Sequence, residues 1–266
     1  MATKYERAAN DLRRRIRSGE WGPGEQLPAE TTLAAHYGVN VTTLRNAIRV
    51  LKVEGLVESI HGKGNFVRAP RTLIERSPER YQWEKDRARL SEAERIGTGA
   101  TEKDTGLRFE DLEFYAKYDD IVATNELSEV FGVPLGTKML RRTFRTSSRH
   151  EDAPISLVTS YLVHAVVARN PALLDERNEP WPGGTQSQLW TIGIEVGSIT
   201  DRIRTRPPSA DEAEDLGIDP EGVATFVLQK ISKDTEGQVV EVSTVVLPGD
   251  RTEFVNTTKL TPWETK

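Results

Sequence analysis

Cysteine is absent from the 266 residues, which excludes disulfides, thiolate metal sites and a cysteine nucleophile. Histidine is nearly as scarce: His36, His61, His150 and His164 are the only four, and no two stand at a zinc-like spacing such as HExxH. No metal and no cofactor is therefore expected. No apolar run approaches the roughly 18 residues of a membrane span, and the opening MATKYERAANDLRRRIRSGEW is too charged for a secretory signal. These absences lead to the expectation of a soluble, cytoplasmic chain with no membrane partner. The length allows one large domain or two of ordinary size, each able to bury a core.

What the chain does have is charge, unevenly placed. The net charge is −5, but residues 1–70 hold 11 Lys/Arg against 7 Asp/Glu, a balance of +4. Of the totals of 36 and 41, this leaves 25 and 34 for the remainder, a balance of −9. A small basic module joined to a larger acidic one suggests an anionic partner for the first.

Periodicity in the basic part reads as helices. Tyr5, Ala8, Ala9, Leu12 and Ile16 recur at helical spacing, with Arg13, Arg14, Arg15 and Arg17 gathered at the C-terminal end where cations suit the helix dipole. After the turn-rich WGPGEQLP, residues 30–37 offer a short helix stopped by Gly38. Asn40 is a good N-cap for a third helix, with Leu44, Ala47, Ile48 and Leu51 inward and Gly55 at its end. Two helices joined by the tight turn YGVN form a helix-turn-helix. Thr42, Thr43, Arg45, Asn46 and Arg49 lie off the apolar stripe of the third helix, whose N-terminal end in this motif points into the DNA major groove. Arginine can bond bidentately to guanine O6 and N7, and threonine can bond phosphate or touch a thymine methyl. LVESI, HGKG and NFV then read as strand, turn and strand. Gly62 and Gly64 at the tip let backbone approach DNA, and His61 and Lys63 supply donors.

The run GEWGPGEQLPAETTLAAHYGVNVTTLRNAIRVLKVEGLVESIHGKGNFV resembles the winged helix-turn-helix of GntR-family transcription regulators, because LPAE, GVNVTTLR, EGLV and GKGNFV fall in order at the right distances over about residues 4–68. The resemblance implies Thr42, Thr43 and Arg45 as recognition-helix contacts and His61, Gly62 and Lys63 as wing contacts. Thr31 stands where the family often carries a DNA-contacting arginine, and Val41 replaces another arginine. The expected DNA-binding set is Thr31, Thr42, Thr43, Arg45, Asn46, Arg49, His61, Gly62, Lys63 and Gly64.

Residues 71–106 mix both charge signs with Pro and Gly and few apolar residues, and read as a linker and lead-in segment. From residue 107 strands are expected at 109–117, 137–146, 155–163, 197–205, 224–234 and 239–247, several of them alternating apolar and polar residues as a half-buried antiparallel sheet does. Between them lie helical pieces in TNELSEVFGV, QSQLWTIGI and SADEAEDLGI, the last capped by Ser209 with Glu212 three residues on. The expected fold class is α+β with two domains: residues 1–70 a winged helix-turn-helix, residues 107–266 an antiparallel-sheet α+β domain.

The stretches ATNELSEVFGVPLGTKMLRRTFR, APISLVTSYL, GGTQSQLWTIGIEV and the segment from PSADEAEDLGI to TEFV resemble, in order, the UTRA effector domain of the HutC subfamily, which shares the chorismate-lyase fold. The resemblance implies a metabolite pocket with Arg145, Tyr161, Thr185, Gln186, Ser187 and Glu241 as effector contacts. Thr143 and Val158 occupy positions where sugar-phosphate binders carry an arginine and a glutamate. By residues alone, the helix after Gly183-Gly184 offers either an anion site or an ordinary capped helix. Arg141 and Arg145 share one strand face and Arg142 the other. Glu241 reads either as a salt-bridge partner or as a ligand contact. No Ser-His-Asp order or P-loop is present.

These features lead to the expectation of a homodimeric repressor, not an enzyme, bound to a palindromic double-stranded DNA operator and released by a small-molecule effector. The alternatives are a DNA-binding dimer whose second domain only oligomerises and a chorismate-lyase-like enzyme.

Overall fold

The computed structural model describes residues 3–60, 62–69, 71–151, 153–220 and 222–261. The chain divides into two units, Met1–Arg71 with Pro207–Thr225, and Thr72–Arg206 with Phe226–Lys266.

In the first unit, α1 (Lys4–Arg17) opens on a capping box made by Thr3 and Glu6. α2 (Glu30–Tyr37) ends at Gly38, which takes the left-handed conformation at φ 61°, one that costs glycine no Cβ clash. α3 (Val41–Val53) is capped by the Asn40 side chain, which accepts from Thr43 N at 2.7 Å. The hairpin β1 (Val57–Ile60) and β2 (Gly64–Val67) pairs antiparallel. The apolar stripes of all three helices meet in one core of Leu12, Ile16, Trp21, Leu27, Leu33, Leu44, Ile48 and Leu51, closed by Val57 and Val67 of the hairpin. Much of the basic cluster of α1 is used internally: Arg13 Nε donates to Glu54 at 2.6 Å, and Arg15 lies 4.4 Å from the Trp21 ring centroid and bonds Tyr37 Oη at 3.2 Å.

In the second unit, the stretch expected to be a linker is folded. It forms β3 (Ile74–Arg76), α4 (Glu79–Arg87), α5 (Glu92–Arg95) and α6 (Ala100–Thr105). Its low apolar content misled because ionic side chains are buried there: Arg80 and Asp104 are 8% and 7% exposed and pair at 3.2 Å. A six-stranded sheet follows, built from β4 (Leu112–Val122), β5 (Lys138–Ser148), β6 (Pro154–Val163), β7 (Val196–Arg206), β8 (Thr225–Asp234) and β9 (Val239–Pro248). The order across it is β4-β5-β6-β9-β8-β7. β10 (Thr252–Phe254) returns to pair in parallel with β3. One face of the sheet carries α7 (Asn125–Phe131), whose Leu127 and Phe131 pack with Met139 and Val242. On the other side Leu140 and Leu162 pack with Val167 of α8 (His164–Val167) and Leu189 of α9 (Gly184–Trp190).

The chain leaves the sheet after β7, makes α10 (Ala210–Leu216), and returns as β8. This excursion belongs to the first unit. Ser209 and Glu212 form the expected capping box, Leu216 is fully buried, and Arg71 Nη2 and Arg68 Nη2 donate to Gly217 O at 2.6 and 3.3 Å. A Cβ added to Gly222 would lie 2.5 Å from Val53 Cα at the end of α3, so glycine permits the close approach. No described helix is long and apolar enough to cross a membrane.

Candidate DNA-binding face and effector cavity

On the first unit, α3 turns Thr42, Arg45, Asn46 and Arg49 to solvent while Thr43 is half-buried beside the cap. Thr31 is exposed on α2, and Gly62, Lys63 and Gly64 are exposed at the hairpin tip. His61 lies outside the described residues. The tip turns through Gly62 at φ 74° and Gly64 at φ 120°, with Lys63 N bonded to Ile60 O at 3.0 Å.

Four polar residues that sequence reasoning missed tie this face together. Arg45 Nε donates to Glu30 Oε2 at 2.7 Å, and Glu30 Oε1 accepts from Asn65 Nδ2 at 3.4 Å. Asn65 Oδ1 in turn accepts from Ser59 Oγ at 2.5 Å. The fourth, Gln26, donates its side-chain amide to Lys63 O at 2.6 Å. The signal was present only as an acid in the first turn of α2; its partner lies 15 residues on, a distance at which helical spacing says nothing.

On the second unit, a cavity of about 660 Å³ lies between the sheet, the α9 loop and the folded segment 74–105. Its polar end is organised by Glu241, 2% exposed on β9. Glu241 Oε1 accepts from Arg142 Nη2 at 3.0 Å, Ser160 Oγ at 2.8 Å and Thr185 Oγ1 at 3.3 Å. Its Oε2 accepts from Lys230 Nζ at 2.9 Å and Ser232 Oγ at 3.4 Å. Arg142 is 2% exposed and also donates to Gln188 Oε1 at 2.6 Å. Burial alone would raise the Glu241 carboxyl, but Lys230, Arg142 and the Ser160 hydroxyl hold it down at about 2. Burial likewise opposes the Lys230 charge, yet Glu241 lifts that ammonium above its ordinary range. A second buried group, Arg76 and Arg80 around Asp104 at 3.9 and 3.2 Å, lines the same cavity.

Of the expected effector contacts, Thr185 and Glu241 line the cavity. Gln186 does not: it is buried and donates to Tyr81 O at 2.9 Å. Ser187 is fully buried within α9 and is not in the lining either. Arg145 and Tyr161 are corrected by the pleat. Arg145 is exposed on the face of β5 opposite Arg142, 5.9 Å from the Tyr115 ring, and Tyr161 packs with the Met139–Phe131 cluster on the opposite side of the sheet. Lys230, Ser160, Gln188 and Ser243 line the cavity in their place, and Arg142 reaches it only through its bonds to Gln188 and Glu241. Alternation told which arginines share a face; it did not tell which face Glu241 occupies.

A helix-turn-helix whose recognition helix presents arginines, in one chain with a sheet domain enclosing a small-molecule-sized cavity, defines a DNA-binding regulator with a sensor domain. The profile of the UTRA domain matches residues 115–253, and that of bacterial regulatory proteins of the gntR family matches residues 4–67. The chain belongs to the UTRA-domain family and carries the domain pair of GntR/HutC-type transcription regulators, and it is a regulator rather than an enzyme. An uncharacterized HTH-type transcriptional regulator of Streptomyces coelicolor is 27% identical over 250 residues, 94% of this chain and 90% of that protein. The histidine utilization repressor of Klebsiella aerogenes is 36% identical over 67 residues, 25% of this chain and 28% of that protein. The crystal structure of PhnF from Mycobacterium smegmatis shares the fold, with a TM-score of 0.51 and 24% identity over 96% of this chain and all of that one.

Proposed function

We propose that the chain is a homodimeric repressor, bound to a palindromic operator through two winged helices and released when a small molecule fills the cavity of the UTRA domain. The cavity carries the reading: about 660 Å³ is the size of a metabolite site, and its buried ion pairs are already assembled. A route for coupling is supported by the excursion at Pro207–Thr225. That segment is covalently continuous with β7 and β8, while its hydrogen bonds go to Arg68 and Arg71 and its Gly222 abuts the end of α3. A ligand that prefers one setting of the sheet can thereby bias the DNA-binding unit by its differential affinity. The sign of regulation is supported by two relatives of the DNA-binding part, the histidine utilization repressor and the mannosyl-D-glycerate transport/metabolism system repressor of Escherichia coli.

The DNA contacts proposed are Arg45, Thr42, Thr43, Asn46 and Arg49 from α3, Thr31 from α2, and His61, Gly62, Lys63 and Gly64 from the wing. Arg45 reads a base edge, and Glu30 at 2.7 Å sets its direction. Selection of bound duplexes from a random pool, followed by sedimentation of the complex, tests this. Two copies per duplex and half-sites about one helical turn apart are expected; one copy on an asymmetric site overturns the dimer.

A further inference from the structure

The cavity floor is patterned along its strands. Cross-strand register places Tyr118, Arg142, Ser160 and Ser243 in one row, of which Ser160 and Ser243 line the cavity beside Glu241 and Lys230. The next row on the same face, two residues or about 7 Å along the strands, is Ala116, Phe144, Val158 and Val245. Leu247 continues the apolar side on β9, and Phe109 and Ile74 close it from outside the sheet. One half of the floor is thus polar and the other apolar.

The polar half has donors to spare and no spare acceptor on Glu241. Both Glu241 oxygens are occupied, by five donors in all. Ser243 Oγ, on a residue 2% exposed, and the buried Trp181 Nε1 have no hydrogen-bond partner among the described residues, and both residues line the cavity. A buried polar atom left unpaired is destabilising unless something supplies its bond. Lys230 directs one ammonium hydrogen to Glu241 and has two more.

Charge limits what can bind. Arg142 and Lys230 around Glu241 leave one net positive charge, as do Arg76 and Arg80 around Asp104. On the rest of the lining Arg95 and Arg177 are outnumbered by Glu84, Glu102, Glu176 and Glu179. The polar end accepts a single negative charge, and the acidic remainder opposes a dianionic phosphate.

We propose that the cavity takes an amphipathic small molecule: a compact hydrogen-bond-accepting head with one negative charge, a carboxylate, against Ser243, Lys230 and Trp181, and an aryl or alkyl body over Phe144, Val158 and Val245. The proposal rests on the reading of this cavity as the effector site, and names the ligand class.

Calorimetric titration of the full chain with 3-phenylpropanoate, octanoate, glucose 6-phosphate and glucosamine 6-phosphate tests it, alongside native mass spectrometry after incubation with a cell extract. The two carboxylates are expected to bind with a negative heat-capacity change, and the phosphosugars not to bind. Ser243→Ala is expected to leave the ligand-free chain as stable as before, since it removes an unpaired hydroxyl, and to weaken the carboxylates roughly tenfold. Phe144→Ala weakens octanoate and leaves the fold of the DNA-binding unit untouched. Binding of a phosphosugar, or of a hydrophilic extract component in place of the carboxylates, overturns the ligand class while the effector site stands. Failure of every probe and every extract component to bind overturns both.

Discussion

Replacing Glu241 with glutamine probes the ionic centre of the cavity. The carboxylate is 2% exposed and holds Arg142 and Lys230, themselves in or near the core. Removing it leaves two like charges facing each other without their common partner, and breaking a buried pair in this way costs about 3–5 kcal/mol. An independent route to the magnitude is its titration. A carboxyl held at about 2 against an ordinary 4.5 corresponds to roughly 3 kcal/mol at neutral pH. Because the folded-state value is depressed, that stability is present above the unfolded value and is lost as pH falls from about 4.5 towards 2, with about 1 kcal/mol gone by pH 4. Urea unfolding of wild type and Glu241→Gln, followed by far-UV circular dichroism with separate transitions for the two units, reads both effects. The expected result is a transition of the second unit weakened by about 3 kcal/mol at pH 7, with a wild-type advantage that shrinks on acidification. A variant as stable as wild type at pH 7 refutes the reasoning, because Arg142 and Lys230 would then have adequate partners without Glu241.

Other outcomes follow from the same structure. Arg45→Ala is expected to cost about 1–3 kcal/mol of operator affinity and to relax preference at one base pair per half-site; a uniform loss over all sequences makes it a phosphate contact. Glu30→Gln barely changes stability, since its pair with Arg45 is 66% exposed on the arginine side, but widens the set of bases accepted, as a binding-site selection with the variant shows. Lys63→Ala reduces the slope of log affinity against log salt by about 1, measured by fluorescence anisotropy. Gly222→Ala, whose new methyl meets Val53 Cα at 2.5 Å, destabilises the DNA-binding unit by about 1–3 kcal/mol and shifts its unfolding transition in calorimetry.

The helix-turn-helix was legible because its signals are local: the apolar stripe of α3, the Asn40 cap and the Gly38 stop each act within a few residues. The sheet was legible for the same reason, as the alternation along β4 is a period of two and β9, buried on both faces, reads as a short run rich in valine. What the sequence hid depends on partners far along the chain. Arg142 is buried because Glu241, 99 residues away, arrives on the same face, and nothing near RRTFR says so. Segment 71–106 looked like a linker because its burial is ionic, through Arg80 and Asp104, and polarity patterns register apolar burial only. The assignment of Pro207–Thr225 to the DNA-binding unit rests on backbone carbonyls of Leu216 and Gly217, which every residue possesses.

The most direct test of a ligand-controlled repressor is operator affinity with and without small molecules. The full chain is titrated onto its selected palindrome by fluorescence anisotropy, alone and with fractions of a cell extract. A fraction that abolishes binding to the operator in the wild type, and loses that effect in Ser243→Ala at the same concentration, is the result predicted. Operator affinity indifferent to every fraction would contradict it.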